Sequence, residues 1–352
     1  MILYTPECFL PFSCIAQRCS DSCCVGWEIS IDTLSLKRYE QTEGPFGDRL
    51  RHGILQSSEG ARFRLSPNGR CVFLNRQGLC EIYLNLGKDA LCEICSKHPR
   101  FFEWYGPVEE AGLGLCCEEA TRLWFSQTLP LRFYKKEIPG EGTEAPAWYN
   151  PLVKVRQTAF SFLQDTSLSF FHRLALMVAL CGHVQDCMDR NAPEDIAAVL
   201  DFYACPDQVL TALRGAVEFD GNLKTAVLEE FQTLDAMDPG WTDRLRAAHP
   251  CSVCTCALVD WPEKVALYLT YRYLLKACFD GDILGRGKWI ALSCIVLMFL
   301  SADVPDEKGL FVLAKDFSKN VEYCPANLEK LARDMERPCF SAASILGFLL
   351  KD

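Results

Sequence analysis

Residues 14–27 read CIAQRCSDSCCVGW. Cys14, Cys19, Cys23 and Cys24 crowd into this short stretch among Ser, Asp and Gly. It carries neither the 3.6-residue apolar period of a helix nor the alternation of a half-buried strand. This part of the chain must therefore be organised by its thiols. Working outward, Cys8 precedes the stretch and Cys71, Cys80, Cys92, Cys95, Cys116 and Cys117 follow it. Cys71-x8-Cys80 follows a turn signal, Pro67-Asn68-Gly69. Cys92-x2-Cys95 has the spacing that lets one turn offer two thiolates to one centre. Cys116-Cys117 closes the series. Eleven of the 21 cysteines thus lie in the first 117 of 352 residues.

Compartment decides how thiols are read. Residues 1–14 contain no Lys or Arg, and Pro6 and Pro11 interrupt any apolar run, so no secretory signal is expected. A cytoplasmic, reduced setting follows, in which a dense cysteine cluster more often binds metal than forms disulfides. A tetrahedral zinc site with four thiolates would cross-link such loops. An iron–sulfur cluster would do the same and add redox or Lewis-acid chemistry. More than four close thiols exceeds one zinc site, and small buried thiols without metal are the structural alternative. The Cys-x3-Cys-x2-Cys loop typical of radical S-adenosylmethionine enzymes begins at Cys19-x3-Cys23 but meets Gly26 at its third position. A Gly-rich dinucleotide fingerprint is absent too, since Gly112-x-Gly114 leads to Cys117.

The net charge of −10 and the lack of a dense Lys/Arg run argue against nucleic-acid binding. Hydrophobic residues at 49% suffice for a packed core. The most apolar run, residues 289–300, lies between Lys288 and Asp303 and falls short of the ~20 residues a span needs. It reads as a buried core helix, so no membrane span is expected.

The elements predict an α+β protein, mostly α. Residues 1–136 form a Cys-rich module with short β-hairpins, 61–65 with 71–75 and 100–105 with 108–116. Short helices are expected at 34–41, 80–86 and 117–129. Residues 137–151, rich in Pro, Gly and Glu, read as a linker. Residues 152–352 show helical periodicity, with helices near 152–165, 168–188, 194–204, 206–217, 222–235, 262–279, 287–301, 307–322 and 325–336. The module is expected to pack on this helical domain.

Three stretches carry a family resemblance. The first is Cys14-x4-Cys19-x3-Cys23-Cys24-Val-Gly-Trp27, followed by Ile29-Ser-Ile31-Asp32. The second runs from Gly69-Arg-Cys71 through Gly78-Leu79-Cys80 to Leu91-Cys92-x2-Cys95-x2-His98-Pro99-Arg100. The third is Cys117-Glu-Glu119-Ala120. Residues 268–282 with Arg286, and Ser318-Lys-x-Val321-Glu322-Tyr323 with Asn327-Leu328, extend the likeness to the C-terminal half. Together they resemble the flagellin lysine-N-methylase (FliB-type) family. The first half also resembles small zinc- or iron-chelating Cys-rich domains.

The resemblance implies methyl transfer from S-adenosylmethionine to lysines of flagellin or another lysine-bearing protein. It also implies an iron–sulfur cluster, of the 4Fe-4S type, with zinc as the alternative. The candidate ligands are Cys19, Cys23, Cys24, Cys71, Cys80, Cys92, Cys95 and Cys117, with Cys116 competing for the last place. On that reading Arg272 or Lys276 binds the donor's carboxylate. Tyr268, Tyr271, Asp280 and Asp282 are candidates to orient the lysine amine or take its proton, because an ammonium has no lone pair to methylate. Tyr268, Arg272, Lys276 and Asp280 recur at i+4 on one predicted helix, a pattern that a solvated face with ordinary ion pairs also gives. His98 reads as a turn residue before Pro99 or as a ligand or ligand support. Trp27 and Trp104 read as core aromatics. Cys251-x2-Cys254-x-Cys256 reads as loop and core thiols, with a second metal site the less favoured alternative. A zinc-stabilised interaction protein and an iron–sulfur electron-transfer or redox protein are the competing functions.

Overall fold

The computed structural model describes residues 1–58, 60–218, 221–248 and 260–351. The Cys251, Cys254 and Cys256 thiols lie outside the described residues. The fold is α+β and mostly helical, as the sequence predicts.

Among the described residues seven strands form two small sheets: β1 (Ile2–Pro6), β2 (Ser30–Ile31), β3 (Ile54–Ser57), β4 (Gly60–Phe63), β5 (Arg100–Tyr105), β6 (Val108–Leu113) and β7 (Phe133–Glu137). The larger sheet has the order β5-β6-β1-β7 and the smaller the order β2-β4-β3. β5 and β6 form the predicted hairpin, with Tyr105 opposite Val108 and Arg100 opposite Leu113. Its turn is Gly106-Pro107, and Gly106 has φ +68, a conformation that a side chain would strain. β1 is inserted beside this hairpin, parallel to β6 (Ile2 opposite Val108) and antiparallel to β7 (Leu3 opposite Lys136).

The other predicted hairpin, 61–65 with 71–75, keeps its turn and a single antiparallel bridge, Leu65 with Cys71, but does not extend into a strand pair. β4 pairs with β3 and β2, and residues 65–80 contribute isolated bridges, Arg70 with Val25, Leu65 with Cys71 and Leu74 with Cys80. Alternating residues around a Pro-Asn-Gly turn were satisfied locally, while the ladder went to the more apolar Ile54-Leu55. The short helix Gly44–His52 also escaped the sequence reading.

Among the described residues two hydrophobic cores result. The small one gathers Ile29, Ile31, Tyr39, Leu50, Phe63, Phe73 and Ile82 together with five thiols, Cys24, Cys71, Cys80, Cys92 and Cys95. The large one joins the β1/β5/β6 sheet side to the helices, running from Cys8 and Phe12 to Leu350. So the core boundary encloses residues 24–95, within the segment that the sequence reading kept whole. The predicted linker follows β7 directly. It lies against the β5–β6 turn, where a Cβ on Gly106 would come within 2.6 Å of Ala145.

Helix starts follow capping rules: Ser169, Asp282, Asp306 and Ser341 each accept an amide hydrogen bond at the head of their helix. The central helices are Tyr149–Leu163, Phe170–Asp189, Trp261–Tyr273 and Ile283–Ser301. Ile283–Ser301 begins earlier than predicted. Among the described residues it is the one single helix long and apolar enough to cross a membrane, and 83% of its apolar window is buried inside the protein. The predicted helix 262–279 is broken: α-helix ends at Tyr273, a 3-10 turn takes Leu274–Lys276, and a short helix Ala277–Asp280 ends at Gly281.

Candidate functional site

The N-terminal thiols fall into two sets. Main-chain bonds draw the first together: the Cys71 amide donates to the Cys24 carbonyl (2.8 Å) and Gly26 to Gly69 (2.9 Å). Cys80 and Cys92 stand at the heads of the short helices Glu81–Leu86 and Glu93–Lys97. Asp32 fastens the second of these by accepting from the Glu93 amide (2.8 Å). Cys24, Cys71, Cys80, Cys92 and Cys95 therefore share the small core. The second set is Cys14, Cys19, Cys23 and Cys117 along the loop that begins at residue 14: burial, with Cys117 nearby, pushes Cys19 up, and burial, with Cys14 nearby, pushes Cys117 up. Glu118 holds that loop to the helix Glu118–Phe125, accepting from the Ser20 amide (2.7 Å), the Ser20 hydroxyl (2.6 Å) and the Cys19 thiol (3.5 Å).

Adjacent residues Cys23 and Cys24 thus belong to different sets, and they touch. The Cys23 thiol donates to Cys24, which pushes Cys23 up and Cys24 down. Cys95 donates likewise to Cys92 and holds Cys92 below the ordinary thiol value. Burial pushes Cys19 and Cys71 up to about 12. Cys14, omitted from the candidate ligands, joins the second set. Cys116 stands apart, buried and bonded to Tyr323. Among the described residues no group of three or more His, Cys, Asp or Glu side chains meets at a point as a single metal ion requires.

A π-helical turn, Ser318–Glu322, connects these loops to the helices. Such turns disturb the helical ladder and recur at functional sites. Lys319 and Lys315 both reach Asp21 in the first loop (2.7 and 3.0 Å). Asn320 accepts from the Met237 and Asp238 amides (2.9 and 3.2 Å). Glu322 accepts from Arg272 (3.1 Å) and from the Tyr273 hydroxyl (2.8 Å). Tyr323 follows the turn. Its ring meets Trp27 and His98 edge-on at 5.5 and 6.4 Å, and its hydroxyl donates to Cys116. Sequence reasoning names Glu322 and Tyr323 within the family likeness but gives them no role, because nothing in their spacing signals a π turn.

Arg272 is the centre of the seam. Its guanidinium lies over Phe101 (4.7 Å), Tyr323 (4.8 Å), Tyr273 (5.3 Å) and Tyr268 (5.9 Å). It donates to the Tyr268 hydroxyl at 2.5 Å. Tyr271, by contrast, faces the sheet and donates to the carbonyls of Tyr4 (3.1 Å) and Ala111 (2.9 Å), beside the buried Arg156–Glu110 pair. Lys276 pairs with Glu103, and Asp280 with Arg286. Asp282 caps its helix through the Gly285 amide (2.7 Å). The six predicted catalytic and donor-binding residues therefore do not converge: Tyr268 and Arg272 share the seam, and the other four are engaged elsewhere. The helix break at Tyr273 ends the i+4 row before Lys276 and Asp280, while Tyr271 bonds the sheet and Asp282 caps the next helix. Burial pushes the Tyr268 and Tyr271 phenols up, so both stay protonated at neutral pH.

Beside Tyr323 opens a cavity of about 380 Å³ lined by Asp32, Glu93, Ile94, His98, Arg100 and Tyr323, among others. Around the seam three buried polar atoms have no hydrogen-bond partner among the described residues: Trp27 Nε1, His98 Nε2 and Glu322 Oε2. Burial, aided by the charge of Lys319, holds His98 down to about 4, leaving a neutral imidazole.

Over 116 residues the sequence is 32% identical to the flagellar biosynthetic protein FliU of Salmonella muenchen, covering 31% of this chain and 69% of that protein. The chain belongs to the family of FliU. It is also 33% identical over 116 residues to the lysine-N-methylases of Salmonella typhimurium strain LT2 and Salmonella choleraesuis strain SC-B67. There the shared stretch is 31% of this chain and 29% of each methylase, so the chain spans under a third of their length. No family model and no solved structure matches the sequence.

Proposed function

We propose that the protein methylates lysine side chains of another protein, with S-adenosylmethionine as donor and flagellin as its substrate. The likeness to proteins named lysine-N-methylase carries this reading. In the reaction the lone pair of a neutral lysine amine forms the new N–C bond as the S–CH3 bond of the sulfonium breaks. The sulfur keeps that electron pair, and the amine loses a proton. The chain's part is to desolvate the amine, orient it and exclude bulk water. Charged groups already fill the predicted donor-binding positions: Arg272 holds Glu322 and Lys276 holds Glu103. Arg272 accordingly serves to fix Tyr268 and the π turn.

The thiols suit an iron–sulfur cluster better than a lone zinc. Zinc needs four donors meeting at one point, about 2.3 Å from each sulfur. An iron–sulfur cluster has several irons and would spread its four thiolates over more than one metal. Cys24, Cys71, Cys80, Cys92 and Cys95 supply the number, burial and chemistry for such a set. When bound, a cluster supplies one-electron or Lewis-acid chemistry.

The test is anaerobic purification with iron, zinc and acid-labile sulfide analysis, followed by transfer of labelled methyl from the donor to purified flagellin. Iron with near-equal sulfide, loss of iron on serine substitution at Cys71, Cys80, Cys92 or Cys95, and its retention on substitution at Cys116 or Cys181 are expected. Stoichiometric zinc without sulfide would replace the cluster by a structural zinc. Absence of methyl transfer by cluster-loaded protein would overturn the enzymatic reading.

A further inference from the structure

We infer that the cavity between His98 and Tyr323 receives the substrate's lysine side chain, with His98 as the residue that orients its amine. The inference rests on the methyltransferase reading and assigns that reading's acceptor site.

Three features support it. First, the size and walls suit the guest. About 380 Å³ lies at the small end of ligand sites. Ile94 and the Tyr323 ring offer apolar surface for a methylene stem, the way long basic side chains pack elsewhere. Second, the charges lining the cavity leave room for a cation. Arg100 lies over the Phe12 ring (4.8 Å) and Lys97 is bonded to Glu93 and lies over Phe102 (5.7 Å). Both cations are thus already engaged. Asp32 accepts two amide bonds, from Ser35 and Glu93, and remains a carboxylate in the cavity wall. Third, His98 Nε2 is buried with no partner among the described residues. An orphaned buried polar atom in a native site asks for an occupant.

The chemistry of the amine gives His98 its role. A neutral lysine amine has two N–H donors and one lone pair. An N–H held by the His98 imidazole leaves the lone pair directed away from the ring, free to meet the methyl group. A cationic ring would donate rather than accept and would repel an ammonium at the entrance, so the neutral state of His98 matters. Lys319, which helps keep it neutral, comes from the π turn and reaches Asp21 on its other side. The cavity also borders the first thiol set, because Glu93 and Ile94 lie between Cys92 and Cys95.

The experiment uses the full chain, purified anaerobically, and a short synthetic peptide with one central lysine. Its counterpart carries norleucine at that position. Binding of each, and of S-adenosylhomocysteine, is measured by titration calorimetry for the wild type and for Ile94→Arg, His98→Phe and His98→Gln. Ile94 is 49% exposed, so Ile94→Arg blocks the cavity without disturbing a core. Expected are a preference for the lysine peptide and its weakening about tenfold or more in Ile94→Arg and His98→Phe. Unchanged S-adenosylhomocysteine binding and at least partial rescue by His98→Gln, which restores an acceptor, are also expected. In steady-state assays His98→Phe should lower kcat more than it raises KM, because orientation counts most in the transition state. Wild-type lysine affinity in both blocking variants would overturn the assignment. So would loss of S-adenosylhomocysteine binding in Ile94→Arg, which would make the cavity the donor's. A wild type that binds the lysine peptide at this cavity but transfers no methyl group would overturn the enzymatic reading while keeping the site.

Discussion

Replacing Gly114 by alanine isolates the seam in a single methyl group. A Cβ at that position would lie 1.9 Å from the Tyr323 hydroxyl oxygen, 2.8 Å from Cζ and 3.0 Å from Cε2. No rotamer change on the alanine can relieve this, so the Tyr323 ring must move. That ring is packed between Trp27, His98 and Arg272, and its hydroxyl is bonded to Cys116. Overpacking of this kind costs about 1–3 kcal/mol. The displaced hydroxyl adds about 1 kcal/mol for its lost bond. Gly114→Ala should therefore destabilise the protein by roughly 2–4 kcal/mol, read as a lower urea midpoint at unchanged slope. Tyr323→Phe alone should cost only about 1 kcal/mol. It also removes the atom that the new methyl strikes first. The double variant should then be more stable than the sum of the two changes by about 1 kcal/mol or more. Additivity within about 0.5 kcal/mol would refute the contact between strand end and π turn on which the reasoning depends.

Other predictions follow from buried charges. Arg156 and Glu110 face each other at 2.6 Å with side chains almost fully buried, so Arg156→Met leaves an uncompensated carboxylate and should cost about 3–5 kcal/mol in urea denaturation. A cost under about 1 kcal/mol would contradict the pairing. His98, held down to about 4 against an ordinary 6.5, is neutral in the folded chain and charged in the unfolded chain below pH 6.5. Its contribution is present above pH 6.5 and is lost as pH falls toward 4, up to about 3 kcal/mol in all. His98→Gln should flatten the stability profile across that window, and an unchanged profile would mean the imidazole titrates normally. In the helical core, Lys288 donates from the apolar helix Ile283–Ser301 to the Met335 carbonyl (2.6 Å). Lys288→Ala should lower the thermal midpoint by several degrees, since it opens a cavity and frees that carbonyl. A shift of under one degree would show that the tether is dispensable.

Helices were legible at Ser169 and Asp306, where a capping residue precedes a 3.6-residue apolar period, but the helix Pro239–Ala247, capped by Asp238, was not. The β5–β6 hairpin was legible because its turn residues and its strands are neighbours in the chain. β1 and β7 were not, because their pairing joins residues more than a hundred positions apart and no local pattern records that. For the site, the cysteines named themselves, but their division into sets did not. Cys23 and Cys24 are adjacent in sequence and opposite in allegiance, since a turn sends consecutive side chains different ways. The i+4 row from Tyr268 to Asp280 failed for a similar reason: it assumes a helix that remains unbroken. His98, Tyr323 and Glu322 acquire meaning only through contacts across the fold.

The thiol-bearing core at residues 24–95 is an excursion: the chain leaves the large sheet after β1 and rejoins it at β5. Its apolar residues all come from that stretch, although Trp27 also meets Tyr323 far along the chain. The sheet it interrupts is not confined in this way, because β1 waits for partners at 108–110 and 133–137. Closing such long loops is the slow step in topologies of this kind. The timing separates the two thiol sets as well. The first is complete once residue 95 has been made; the second needs Cys117, and the π turn at 318–322, which holds the loop at Asp21, lies about two hundred residues further along the chain.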